Sequence, residues 1–453
     1  MENDDILNTY PRLRAMNEAP SMQEYLEPIL GWKPDSEVFP QAARLTAIIT
    51  DKAAQLYGGE AAALLQAQLA NHAHIDTGPH LHLPRDLDRT SQNTPPHQNM
   101  NTLIVQSIGM MAGLYADRGL PVKLNMFTGI VPSTNSNSGS HFQVSSDPAK
   151  LVRLVPDRTK QCVQAYLPAM SQSTLDNVAK SASGLEQPDR TRVEHVLSIW
   201  TEQKGSFSDQ IAAASSYLYN DVQGNSGVNQ LNMDFQALGT DYLVGLLEDE
   251  TTVVSRIFSY PNTAESFAKD FSGIATGWKE GEKPFVRLRA KTADESGAEA
   301  HSADGNYDGS CLRADLIDGL RSKKIMPTNA MLHFAVMVEG GMLATGGMFQ
   351  SEYCTEIRDR AVPLLNEMGE HRRAEALQKM PTDKAVVTPV WGFKDGEPLN
   401  YGALLRMSLT RENFSDILRL SGADVLSGAV PCLAALRGQT AEKHPVRGLD
   451  FTQ

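Results

Sequence analysis

Apolar residues along 40–56 recur at helical spacing: Ala43, Leu45, Ile48 and Ile49, then Ala53 and Leu56. The break Tyr57-Gly58-Gly59 separates them from a second helical run over 60–70, so the pattern predicts a helical hairpin. A further helix is expected over 98–118, closed by Gly119 with Pro121 beyond it. Positions 122–127 alternate and predict a strand, which empties into the Ser/Asn-rich loop 129–141. The middle of the chain predicts helices at 172–184, 190–203, 208–220 and 236–249. Strands are then expected at 252–258, 285–290, 331–338 and 385–391, with helices at 262–271, 311–323 and 349–379 and two more after 410.

Strands separated by helices imply a mixed α and β fold, α/β or α+β, helix-rich with a central sheet of about four to six strands. The same pass divides the chain into an N-terminal arm (1–39), a His-rich region (40–147), a mainly helical region (148–250) and an α/β region (251–453). A single integrated domain is the alternative division. No internal repeat stands out.

Composition narrows the function classes. Against 41 Lys and Arg stand 54 Asp and Glu in 453 residues, a formal charge of −13. That balance opposes a broad electrostatic grip on nucleic acid or on an anionic membrane. The longest apolar stretch, 103–115, is interrupted by Gln106 and Ser107 and falls short of the roughly 20 residues a bilayer span needs. Cys162, Cys311, Cys354 and Cys432 form no CxxC pair, so neither a disulfide framework nor a Cys-rich zinc site is expected. The N-terminus lacks the apolar core of a secretory signal. A cytoplasmic protein is the expectation, with homo-oligomerisation left open.

Five of the eleven histidines fall between His72 and His97. In His72-Ala73-His74-Ile75-Asp76 the side chains at 72, 74 and 76 share one face of an extended segment, and His80-Leu81-His82 repeats the spacing. Paired HxH imidazoles with a carboxylate suit Zn or Fe, so His72, His74, Asp76, His80 and His82 are the candidate metal ligands. The segment His72-x-His74-x-Asp76 partly resembles the HxHxDH signature of metallo-β-lactamase-like hydrolases. Thr77 stands at that signature's last His and helix precedes it, so no family is assigned.

Imidazole titrates near neutral pH, which makes His97 and His141 candidate catalytic acids or bases. Arg85, Lys123, Asn135, Gln350 and Tyr353 are candidate substrate-binding residues. The glycine-dense stretch 340–347 reads either as a close approach to a ligand or as a tight strand-to-helix turn. Arg287 and Arg289 on one strand face would form an anion clamp or a solvated edge, and 304–310 carries half of a calcium-loop pattern or a polar turn.

The sequence contains no organic-cofactor motif. The function expected is metabolic: an enzyme acting on a small polar or anionic molecule, read first as a metal-dependent hydrolase or lyase using the His72–His97 cluster. A metal-independent transferase with an anion-binding Ser/Asn loop is the alternative, and a non-enzymatic binding protein the third reading.

Overall fold

The computed structural model describes residues 7–8, 10–77, 113–127, 141–143, 151–153, 168–203, 205–223, 227–270, 275–277, 286–287, 289–290, 299–301, 308–310, 312–347, 350–388, 393–394, 397–398, 415–416 and 418–426. Helix α1 (Met22–Gly31) opens on Ser21, whose hydroxyl accepts from the Glu24 N–H, and buries Met22, Tyr25, Leu26, Ile29 and Leu30. The expected hairpin is α2 (Ala42–Tyr57) and α3 (Gly59–Leu69). Gly58 makes their turn at φ +88°, a conformation open to glycine at little cost.

Five strands run parallel: β1 (His74–Thr77), β2 (Val122–Phe127), β3 (Asn229–Asp234), β4 (Leu343–Gly347) and β5 (Val386–Thr388). Their hydrogen-bonded order is β5-β4-β1-β2-β3. Numbered along the chain and read from the β3 edge, that is 3-2-1-4-5.

Helices provide most of the body. Helices α4 (Gln172–Ala182), α5 (Gln187–Glu202) and α6 (Phe207–Gln223) lie between β2 and β3 in the chain. After β3 come α7 (Phe235–Glu248), α8 (Val253–Phe258), α9 (Pro261–Asp270), α10 (Arg313–Arg321) and α11 (Asn329–Phe334). Helices α12 (Gln350–Glu367) and α13 (His371–Gln378) separate β4 from β5.

The expected mixed fold, organised by a central sheet of about four to six strands, is corrected to a helix-dominated one. Helix outweighs strand several-fold among the described residues. The strands form short ladders: β1 and β2 register at one pair, Asp76 with Asn125, and β4 against β5 slips at Gly346/Gly347. The other described sheets have two or three strands each.

Two expected strands are helices. Within 252–258, residues 253–258 form α8, capped by the Thr252 hydroxyl on the Ser255 N–H at 3.0 Å. Residues 331–338 belong to α11 and to the π-helical turn Ala335–Glu339, capped by Thr328. Both are buried on nearly every side, and a wholly buried helix shows no apolar period to distinguish it from a buried strand. The expected strand 285–290 divides: Val286–Arg287 pairs with 276–277, whereas Arg289–Ala290 pairs with 300–301. Arg287 and Arg289 therefore belong to different sheets. Asp308–Ser310, expected in a polar turn or calcium loop, pairs antiparallel with Glu299–His301. The expected helix 349–379 is two, parted by Gly369 at φ +79°.

One apolar core runs from Leu7 to Leu426 and crosses the expected divisions near 39, 147 and 250. The arm contributes Leu13 and Met16 to it besides α1. A second cluster joins α4, α5 and α6 around Val178, Val193, Trp200 and Leu218. Among the described residues no helix is long and apolar enough to cross a membrane.

Candidate functional site

Side chains on a strand alternate between faces, so β2 divides its residues into two sets. Val122, Leu124 and Met126 enter the main core, where α3 packs on β2 and α2 on β3. Lys123 and Asn125 take the opposite face and are also buried, Lys123 to 1% exposure. Strand β3 repeats the division: Leu231 and Met233 join the core, while Gln230, Asn232 and Asp234 are buried on the other face. The register fixes the correspondence, Lys123 beside Gln230 and Asn125 beside Asn232.

Two cross-strand rows follow. One is Thr345, Asp76, Asn125 and Asn232; two residues earlier lies Leu343, His74, Lys123 and Gln230. Buried parallel strands ordinarily carry Val, Ile and Leu on both faces. Here one face is polar from β1 to β3.

The polar face is only partly satisfied. Asn125 Nδ2 donates to Asn232 Oδ1 at 2.6 Å, and Gln230 Nε2 donates to the same oxygen at 2.9 Å. Asp234 Oδ1 caps α7 by accepting from the N–H groups of Gln236 and Ala237. His74 Nδ1, Gln230 Oε1, Asn232 Nδ2, Asp234 Oδ2 and Gln236 Oε1 have no protein partner. Each such buried group costs about 1–3 kcal/mol, and together they mark a place where stability is given up.

The outer edge of β3, by contrast, is covered at Gln230 and Asn232. The N–H groups of Gln230 and Asn232 donate to Asn220 Oδ1 and Ser216 Oγ of α6, at 2.7 and 2.8 Å. Tyr57 from α2 donates to the Asn232 carbonyl. Side chains of α2 and α6 thus occupy backbone positions that another strand would otherwise take.

His74 stacks on Tyr115, ring centroids 5.8 Å apart, and its Nε2 is hydrogen-bonded to the Tyr115 hydroxyl. Burial pushes its pKa down to about 3, reinforced by the charges of His72 and Lys123, so the ring is neutral at physiological pH. His72 is half-buried, and its Nδ1 lies 2.9 Å from the Leu30 carbonyl. A carbonyl only accepts, so Nδ1 carries a hydrogen. Asp234 is shifted in the opposite sense: burial raises its carboxyl pKa, against hydrogen bonds from Ser208 and the α7 N-terminus.

Of the expected site residues, the fold brings His72, His74 and Lys123 together, with Asp76 at the next position of the same β1 face. His141 opens a strand paired with Leu151–Arg153, in a sheet separate from β1–β5. Gln350 Nε2 and Cys354 Sγ both meet the Ala344 carbonyl, at 3.3 and 3.1 Å, so Gln350 ties α12 to β4. Tyr353 is half-buried on α12. His80, His82, Arg85, His97 and Asn135 lie outside the described residues. No group of three or more metal-ligating side chains occurs among the described residues.

Sequence reasoning missed Asn125, Gln230, Asn232, Asp234 and Gln236. A signal was available: Leu-Asn-Met occurs at 124–126 and again at 231–233, and the two copies pair residue for residue. The glycines at 340–341, read as a ligand approach or a turn, make the turn. Gly341 adopts φ +62°, and a Cβ there would meet Pro34 and Phe39 at 2.6–2.7 Å.

No family model matches the chain, and no curated protein or solved structure shows significant similarity to it.

Proposed function

We propose that this chain is an enzyme of small-molecule metabolism that binds a polar, anionic substrate against the buried polar face of β1–β3, without a metal. The observation that supports this reading is the set of buried side-chain atoms left unpartnered there, beside a lysine charge. Lys123 attracts the anionic group, and the Gln230 and Asn232 amides orient the remainder. Asp234, with its raised pKa, exchanges a proton with the substrate. Neutral His74 serves as a hydrogen-bonding group. A cytoplasmic location and no role in nucleic-acid binding go with this reading.

A metal-dependent hydrolase or lyase is the second reading. It is favoured by the Leu30 carbonyl, which accepts from His72 Nδ1 and so orients Nε2 in the way liganding imidazoles are held. The Lys123 charge that depresses His74 opposes a cation in the same place.

The test is a thermal-shift screen of purified protein against phosphorylated and carboxylated metabolites, run with and without chelator. At least one anionic class should raise the melting temperature, and Lys123→Met should remove the response. A response that chelation abolishes and Lys123→Met leaves intact would favour the metal reading instead.

A further inference from the structure

His74 meets the protein at one of its two ring nitrogens. The imidazole is 3% exposed and the Tyr115 phenol 2%. The rings stack at an interplanar angle of 22°, with the Tyr115 hydroxyl hydrogen-bonded to Nε2. Nδ1 is buried and has no protein partner. By strand alternation His74 shares its face with Asp76, which pairs with Asn125, so Nδ1 belongs to the polar face. Burial keeps the ring neutral, and a neutral imidazole carries one hydrogen, so the bond at Nε2 decides what Nδ1 can do. Where the phenol donates, Nε2 accepts and Nδ1 carries the hydrogen. Where Nε2 donates, Nδ1 keeps a lone pair. The chemistry of the two groups favours the first arrangement. A phenol O–H is a strong donor, while its oxygen lone pair is drawn into the ring and accepts poorly; an imidazole nitrogen is a strong acceptor.

We propose that Tyr115 is a positioning residue: its hydroxyl donates to His74 Nε2 and holds the ring as the Nδ1–H tautomer, which offers a donor to a carboxylate or phosphate oxygen of the ligand. A buried N–H without a partner costs about 1–3 kcal/mol, and an oxyanion is the acceptor that recovers most of it. The inference rests on the function proposed above for the presence of that oxyanion; the tautomer stands on the contact between the two rings. The same bond separates the two readings of the site. With Nε2 accepting from the phenol and Nδ1 protonated, His74 has no lone pair left for a metal, because a liganding imidazole must present a bare nitrogen.

Heteronuclear NMR of the full chain, labelled at the histidine ring nitrogens and kept at neutral pH with chelator, reads the tautomer directly, since protonated and bare ring nitrogens resonate far apart. The ring missing from the His74→Gln spectrum is His74. Wild type should show hydrogen on Nδ1 and a bare Nε2. Tyr115→Phe keeps the aromatic ring without its hydroxyl and should move the hydrogen to Nε2 or mix the two tautomers, a change that a merely space-filling phenol would not produce. Should that variant fail to fold, the wild-type spectrum decides alone. Inorganic phosphate and succinate serve as oxyanion probes. At least one should shift the wild-type Nδ1–H resonance, with a dissociation constant about tenfold weaker in Tyr115→Phe, the worth of one hydrogen bond. A bare Nδ1 in the wild type, a tautomer indifferent to Tyr115→Phe, or an Nδ1–H that neither oxyanion moves overturns the inference. The function proposed above survives any of these results if an anion still raises the melting temperature and Lys123→Met removes that response. It falls if no anion in that screen has an effect, whatever the tautomer.

Discussion

His74 makes the acid stability of this protein calculable. Its ordinary pKa is 6.5, and burial beside Lys123 lowers it to about 3 in the fold. Below about pH 6.5 the unfolded chain binds a proton that the folded ring refuses. A depressed folded pKa of this kind contributes stability that is complete above the unfolded value and is lost as pH falls toward the folded one. Each pH unit in that window costs about 1.4 kcal/mol. Going from about pH 7 to about pH 4 should therefore remove about 3 kcal/mol through this one ring, a large share of a typical total of about 5–15 kcal/mol.

Buried carboxyls such as Asp234 and Glu339 have raised pKa values and work in the opposite direction, so the raw acid profile mixes signs. The difference between wild type and His74→Gln isolates the ring, because Gln keeps a hydrogen bond within reach of Tyr115 and does not titrate. Urea unfolding at several pH values, with chelator present throughout, gives both curves. The wild type should lose about 3 kcal/mol more than the variant over that range. Parallel curves would refute the buried, neutral imidazole and the Lys123 charge beside it.

Asp234→Asn should raise the melting temperature near neutral pH and leave it unchanged in strong acid. A raised carboxyl pKa means stability that is present below the ordinary carboxylate range and lost as pH rises through the folded value; a scanning-calorimetry series in pH checks the sign. Glu339 is fully buried, bonded to Arg373 at 2.6 Å and to the Val254 N–H at 2.8 Å. Arg373→Met should cost about 3–5 kcal/mol by stranding that carboxylate, and Glu339→Leu combined with it should restore much of the loss, both read by urea denaturation. Gly341→Ala should destabilise by about 1–3 kcal/mol, since the turn holds φ +62° against Pro34 and Phe39; an unchanged urea midpoint would argue that the turn relaxes freely.

The hairpin at 42–69, strand β2 and the helices from 172 to 248 were legible because each buries one face and shows a period. Elements buried all round were not. Helix α8 and residues 331–338 read as strands because only their caps, Thr252 and Thr328, distinguish them from buried strands. Strand β3 was overlooked for the opposite reason: Asn229-Gln230-Leu231-Asn232-Met233-Asp234 is polar enough to pass for a loop ahead of α7. The histidine cluster directed attention to His72 and His74, just before and at the start of β1. It carried no information about β3, whose Gln, Asn and Asp join the same polar face through the parallel pairing with β2.

That pairing bears on whether the polar face is functional or merely tolerated. If Asn125 and Asn232 served only to hold two strands together, their amides could satisfy one another and nothing else would be left over. Instead both remaining amides point to a shared Oδ1, and the surplus polar atoms of Gln230 and Asn232 stay buried and unmet. The backbone edge of the same strand, a few ångströms away, is capped atom by atom by Ser216, Asn220 and Tyr57. Side chains able to complete a hydrogen-bond inventory are thus present around β3 and are placed on its edge, not on its polar face. Selection for stability alone would have filled that face with Val or Ile. A strand sealed on its edge, apolar on its core side and unsatisfied on its third side has the form expected of a surface kept for a ligand.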